Sequence, residues 1–420
     1  MPDWYHDAKL GIFIHWGLYS VPAFAPPTGE LGKVDWNTWF YKNPYAEWYL
    51  NSIRLKTSET YKHHAATYGA DFDYYRFAET FHKESAKWDP DKWADVFQRV
   101  GASYAVLTTK HHDGFTLWPS KVKHPTRNDL NTKRDFTGEL TRAVRKAGLR
   151  MGLYYSGGLD WTFEFTPIAK MADLMATAPK SQEYADYADA HWRELIDRYE
   201  PAILWNDIGY PKLGKIANIF ADYYNRLPEG LVNSRFNTPH LDFTTPEYTR
   251  YDKIVEKKWE TCRGLGFSFG YNQVEDGRHV IAADKLIELL IDIVSKNGNL
   301  LLNIGPRADG SISEIQMDRL TKLGAWMAVN GEGIHGTRPF ARAAAGEEIR
   351  FTRKGETVYA FVLKRPASGV VEIPDMKASK VELLGQKGAL RHTVRNAGVV
   401  VTLPPASGSA PFALGLKVTA

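Results

Sequence analysis

The chain has one cysteine, Cys262, in 420 residues. No intrachain disulfide can form, so stability must come from a packed core, and a reducing compartment suits such a chain. Cys262 lacks a catalytic neighbourhood in the sequence and reads as a small buried residue. Excess charge of one sign is also lacking: 53 Lys and Arg stand against 49 Asp and Glu, a net +4. No block of Lys or Arg forms a nucleic-acid arm, so the expected partner is neutral or mixed in charge and not a nucleic acid. No apolar run is long enough to span a bilayer, and no apolar segment of signal type precedes Trp4. The expectation is no membrane association and a cytoplasmic setting, with removal of a secretory signal as the other option. A Gly-rich phosphate turn after an early strand is missing, which argues against a doubly wound dinucleotide fold.

Aromatic residues are abundant: 13 Trp, 22 Tyr and 20 Phe. Most must be core, and a surplus near strand ends suits a sugar, whose C–H face packs well on a ring. At this length, a large barrel with an accessory domain is the natural size class.

The stretch that organises the chain is Ala202-Ile203-Leu204-Trp205-Asn206-Asp207, an apolar run ending in a carboxylate. It reads as a strand buried on both faces, and Asp207 at its C-terminal end is costly unless partners or a substrate await it. Similar runs occur at Lys9–Gly17, Tyr104–Thr109, Leu149–Tyr155, Leu231–Arg235, Phe267–Tyr271 (weaker) and Leu300–Gly305. Helical patterns separate them. Asp89-Pro90 opens one that Gly101 ends, and others run over about 135–147, 182–199, 215–226, 286–294 and 320–329, with a short one at Pro44–Tyr49. Alternation of this kind predicts a parallel sheet with right-handed crossovers. Strands buried on both faces favour a (β/α)₈-like TIM barrel over residues 1–335. From Glu348 onward, short β-rich runs alternate with Gly/Pro turns (349–352, 357–363, 370–373, 380–384, 390–394, 399–403), which predicts an all-β sandwich within 336–420, of accessory role.

In a barrel the active site lies at the C-terminal strand ends. Those ends supply His15, His111, His112, Asp113, Tyr154, Asp160, Asn206, Asp207, Arg235 and Asn303. A metal site is one possible use of them. However, adjacent histidines on a strand point to opposite faces, and neither His-X-His nor a helical pair four apart is present. Taken singly, each His is as well explained as a hydrogen-bonded core residue. Glycoside hydrolysis is the third use, and it needs two carboxylates plus polar and aromatic sugar contacts. Asp207 suits the nucleophile. Spacing leaves its partner open among Glu47, Glu247, Glu256 and Glu260.

His15-Trp16-Gly17, Lys110-His111-His112-Asp113-Gly114-Phe115, Tyr154-Tyr155-Ser156 and Trp205-Asn206-Asp207 together resemble the α-L-fucosidases of glycoside hydrolase family 29. Lys258-Trp259-Glu260, Ser268–Asn272 and Gly298–Pro306 extend the resemblance, which covers about residues 4–340. It implies a retaining, exo-acting α-L-fucosidase that forms a covalent fucosyl-enzyme on Asp207 and needs no metal or organic cofactor. Its substrate would be a fucosylated oligosaccharide or glycoconjugate, and a homo-oligomer is possible. The Thr245-Pro246-Glu247-Tyr248 segment matches the one that carries the acid/base in similar members, which selects Glu247. The resemblance further implies that His15, Glu47, Trp48, His111 and His112 bind the sugar hydroxyls, that Tyr154 and Trp205 line the pocket, and that Arg235 flanks Asp207. Phe13, Tyr45 and Phe269 are candidates for the pocket of the C5 methyl. The alternatives are a metal-dependent TIM-barrel hydrolase and a fucose-binding protein without turnover.

Overall fold

The computed structural model describes residues 1–395, 398–405 and 412–420. Its centre is a curled sheet of seven parallel strands: β1 (Leu10–Ile14), β2 (Tyr104–Lys110), β3 (Arg150–Ser156), β4 (Ile203–Asp207), β5 (Leu231–Val232), β6 (Trp259–Gly264) and β7 (Gly298–Ile304). Their spatial order is β5-β4-β3-β2-β1-β7-β6. β1, β2, β4 and β7 are buried along their whole length, as continuous apolar runs between helices require. The flanking helices start and stop where the sequence says. Asp89 caps Pro90–Val100, and Gly101 ends it with φ 83°, while Asp135 caps Phe136–Lys146.

The two edges of the sheet are joined by an irregular stretch that the sequence reading did not contain. The Asp242 N–H bonds the Val232 carbonyl at 3.0 Å, and isolated parallel bridges pair Asn233 with Phe243. On the other side Thr244 pairs with Trp259 and Glu247 with Cys262. Residues 242–248 thus fill the eighth position, giving a (β/α)₈-like barrel closed by a non-regular segment. That segment carries Glu247.

Two strand assignments change. Phe267–Tyr271 is not a strand, and the barrel strand lies earlier, at Trp259–Gly264. Glu260 and Arg263 disguise it, because a charged residue in a central strand is unexpected unless its partners are known. Leu231–Arg235 is a strand only over its first two residues, and a 3₁₀ turn, Ser234–Phe236, then carries Arg235 inward.

Beyond the barrel, five antiparallel strands run in the order 380–383, 414–419, 357–362, 349–354, 338–345. A second sheet holds 370–373, 398–402 and 392–395, and Phe351, Ile373, Val381, Val399, Val401 and Leu416 fill the space between the sheets. Strands 338–345 and 414–419 were not read from sequence, since Arg-Pro-Phe-Ala-Arg and Leu-Gly-Leu are weak β signals. The sandwich docks on the barrel through Trp326 Nε1 to the Ala413 carbonyl (2.7 Å) and Arg350 Nε to Asp292 (2.7 Å). No helix among the described residues is long and apolar enough to cross a membrane.

Candidate active site

The C-terminal strand ends surround an open-mouthed cavity of about 750 Å³, counting the space at its mouth. His15, Glu47, Trp48, His111, His112, Tyr154, Trp205, Asp207, Arg235, Glu247 and Phe269 all line it. The side chains that the resemblance assigned to catalysis and sugar binding therefore meet in one place, whereas Asp113, Asp160, Asn206 and Asn303, also collected from the strand ends, do not line it. Among the described residues the sandwich contributes nothing to its wall.

Asp207 ends β4 and is 7% exposed. One carboxylate oxygen accepts from Arg235 Nη1 at 2.8 Å and from the Ile208 N–H at 3.0 Å, and the other accepts from the Tyr154 hydroxyl at 3.0 Å. Burial alone would raise its pKa. The Arg235 charge and these hydrogen bonds outweigh burial and hold the pKa below the usual carboxylate value. The group is anionic with fixed orientation, as a nucleophile must be.

Arg235 also reaches the second carboxylate: its Nη2 donates to Glu247 at 3.0 Å, while Tyr45 donates to the other Glu247 oxygen at 2.6 Å. One guanidinium thus spans both acids. Its Nε is anchored on the Thr245 carbonyl, and its plane lies over the Trp205 ring, 4.8 Å from the centroid. Cys262 is buried, as the sequence reading has it, but its neighbourhood differs from that reading. Its thiol sits in the cavity wall, 3.3 Å from Arg235 Nη2, and burial pushes its pKa up, so it remains a thiol.

Three buried imidazoles surround the acids, and all are neutral. Burial lowers His15 to about 3 and His112 to about 4, and His111 falls well below its ordinary value. Their tautomers follow from their partners. Asn303 donates its amide to the Phe269 carbonyl, so its oxygen faces His15 Nδ1 at 2.6 Å and requires a proton there. Ser156 donates to the Leu159 carbonyl and accepts from His112 Nδ1 at 2.6 Å. Both rings are left with Nε2 as an acceptor. Glu47 complements them, because burial pushes it up to about 8 and leaves it a proton to donate. It is held by the Gly270 N–H at 2.7 Å. Phe13, Tyr45 and Phe269 form an apolar corner, with Tyr45 and Phe269 edge to face at 5.3 Å.

The other carboxylates considered as acid/base lie elsewhere. Glu256 is exposed on the loop before β6. Glu260 is fully buried beneath Trp205, accepting from Trp205 Nε1 (2.9 Å), from Tyr5 (2.9 Å) and from Tyr104. Its work is to satisfy three donors inside the barrel. Glu260→Ala orphans all of them and is expected to cost about 3 kcal/mol, seen as a thermal midpoint lower by several degrees. Glu260→Gln, which keeps an acceptor, is expected to lose less. Asp113 and Asp160 are likewise supports, bonded to Tyr74 and to Lys110 at 2.7 Å each.

Sequence reasoning missed the cavity's outer wall, which is Leu31, Trp36, Trp39, Phe40, Met171, Leu174 and Ile208. Two six-residue helices, Trp36–Tyr41 and Met171–Ala176, supply most of it, each too short to leave a periodic signal. Among the described residues no group of three or more His, Cys, Asp or Glu side chains is arranged to hold a metal ion.

The family model described as alpha-L-fucosidase matches residues 1–332, and the model for the alpha-L-fucosidase C-terminal domain matches 343–419. An alpha-L-fucosidase of Dictyostelium discoideum is 33% identical over 439 residues, covering 100% of this chain and 89% of that protein. A solved alpha-L-fucosidase superposes with a TM-score of 0.94 at 45% identity, covering 100% of this chain and 97% of the other. The Thermotoga maritima alpha-fucosidase in complex with fucose gives 0.89 at 43%, with the same coverage. Matched over both of its domains by these models, relatives and structures, the chain belongs to glycoside hydrolase family 29, the α-L-fucosidases.

Proposed function

We propose that this glycoside hydrolase removes terminal α-L-fucosyl residues with retention of configuration, Asp207 acting as nucleophile and Glu247 as acid/base. The observation that carries the proposal is the Arg235 bridge, 2.8 Å to Asp207 and 3.0 Å to Glu247. In the first step an Asp207 oxygen bonds C1 while Glu247 gives its proton to the departing glycosidic oxygen, leaving a fucosyl ester. In the second, Glu247 takes a proton from water, the water oxygen bonds C1 and the ester opens.

His15, His112 and His111 would accept or exchange hydrogen bonds with the sugar hydroxyls, Glu47 would donate, and Trp48, Tyr154 and Trp205 would bound the ring. Phe13, Tyr45 and Phe269 would receive the C5 methyl. A single cavity that ends on the two acids and opens at one mouth supports exo action on fucosylated oligosaccharides or glycoconjugates. The division near residue 335 into catalytic barrel and accessory sandwich is part of the same proposal, as is a homo-oligomeric assembly. A chain whose only cysteine is unpaired needs no oxidising compartment, which supports a cytoplasmic setting.

The test is the anomer released first. Proton NMR during rapid hydrolysis is expected to show α-fucose before mutarotation, and β-fucose first would contradict retention. Arg235→Met is expected to lower kcat/KM about 10²–10³-fold by removing a fixed charge beside the reacting centre. Arg235 depresses the Asp207 pKa, so its removal raises that pKa. The acid limb of the kcat/KM profile should then move to higher pH.

A further inference from the structure

The outer wall of the cavity is chemically unlike its floor. Leu31, Trp36, Trp39, Phe40, Met171 and Leu174 line it, with no charged side chain among them. Trp36 and Met171 are 42% and 41% exposed, large values for apolar residues of this size. The helices that carry them, Trp36–Tyr41 and Met171–Ala176, pack on one another. Single exposed apolar residues need no explanation, but a contiguous set around the mouth of a catalytic cavity marks a binding surface.

Its position relative to the acids gives the surface a side. Trp36 packs on Trp39 at 6.3 Å, and Trp39 packs edge to face on Tyr45 at 4.7 Å. Tyr45 in turn donates to Glu247. An acid/base protonates the oxygen of the departing group, so the wall that runs outward from Glu247 lies on the leaving-group side.

We infer that this rim is the leaving-group subsite and that it selects aglycones with a flat apolar face, aryl groups above all. Hydroxyl-rich sugar aglycones find few partners on it. The inference rests on the fucosidase reading of the same cavity and adds to it the chemistry of the group that departs. Binding comes from burial of the aglycone between Trp36 and Met171, in the same way that other apolar surfaces leave water.

The experiment compares kcat/KM for an aryl α-L-fucoside, α-L-fucosyl fluoride and a fucosyl disaccharide, in the wild type and in Trp36→Ala, Trp36→Phe and Met171→Gln. Fluoride is a single atom and cannot reach the rim. In Trp36→Ala the aryl-to-fluoride ratio is expected to fall about tenfold, equivalent to about 1.4 kcal/mol. Met171→Gln should lower it in the same direction, Trp36→Phe should largely preserve it, and the disaccharide-to-fluoride ratio should change less than threefold in every variant. An unchanged aryl ratio in Trp36→Ala and Met171→Gln would overturn the assignment. So would equal losses on all three substrates, because the rim would then only support the pocket. Wild-type enzyme that hydrolyses none of the three would sink the fucosidase reading itself, a separate outcome.

Discussion

Asp207→Gly is expected to lower kcat on an aryl α-L-fucoside by about 10⁴-fold or more, with the fold intact. The size follows from what is lost. Tyr154, Arg235 and the Ile208 N–H converge on the Asp207 carboxylate within 3.0 Å, and without it they have nothing to orient. No neighbouring group can replace it, because Glu47 keeps its proton near neutral pH and Glu260 is sealed beneath Trp205. The space vacated by the side chain admits a small anion. Added azide should therefore restore turnover, and its attack from the nucleophile's face should give β-L-fucosyl azide, the inverted product.

Glu247→Ala is the second large effect, and its size should depend on the leaving group. A positioned acid contributes about 10²–10⁴-fold. The full loss is expected on a fucoside with a poor leaving group, whereas a nitrophenolate departs without a proton and its glycosylation step should suffer far less. The fucosyl-enzyme then accumulates, since no base activates water, and a burst of phenolate should precede a slow steady state. Azide needs no base. It should rescue this variant to α-L-fucosyl azide, the retained product. The two variants thus predict opposite anomers from one reagent, and a shared anomer would mean that one of the two roles is misassigned.

Much of the cavity's floor was legible in the sequence. β1, β2, β3, β4 and β7 are long enough and apolar enough to be read as buried strands, so the polar residues at their ends could be collected on one face. Residue chemistry alone stopped at Asp207 and left four glutamates open; the motif resemblance chose Glu247, gave Glu47 a sugar-binding role instead, and brought in Trp48. What escaped did so for physical reasons. β6 hides a glutamate whose three donors come from β2, β4 and a short helix at Asp3–Ala8, a satisfaction visible only in three dimensions. The closing segment 242–248 makes isolated bridges and leaves no periodic pattern. Cys262 faces Arg235 only because that segment brings the β5 and β6 edges together. The apolar rim rests on two helices of six residues each, well below the length at which amphipathic spacing can be read.

The central claim is that Asp207 becomes covalently bonded to fucose during turnover. A 2-deoxy-2-fluoro α-L-fucoside with a good leaving group slows both steps and the second one more, so the ester accumulates. Peptide mass spectrometry of the trapped enzyme should find the fluorofucosyl group on Asp207 in the peptide containing Trp205-Asn206-Asp207. Label on any other residue, or full turnover of the natural substrate by an enzyme that never forms the ester, would contradict it.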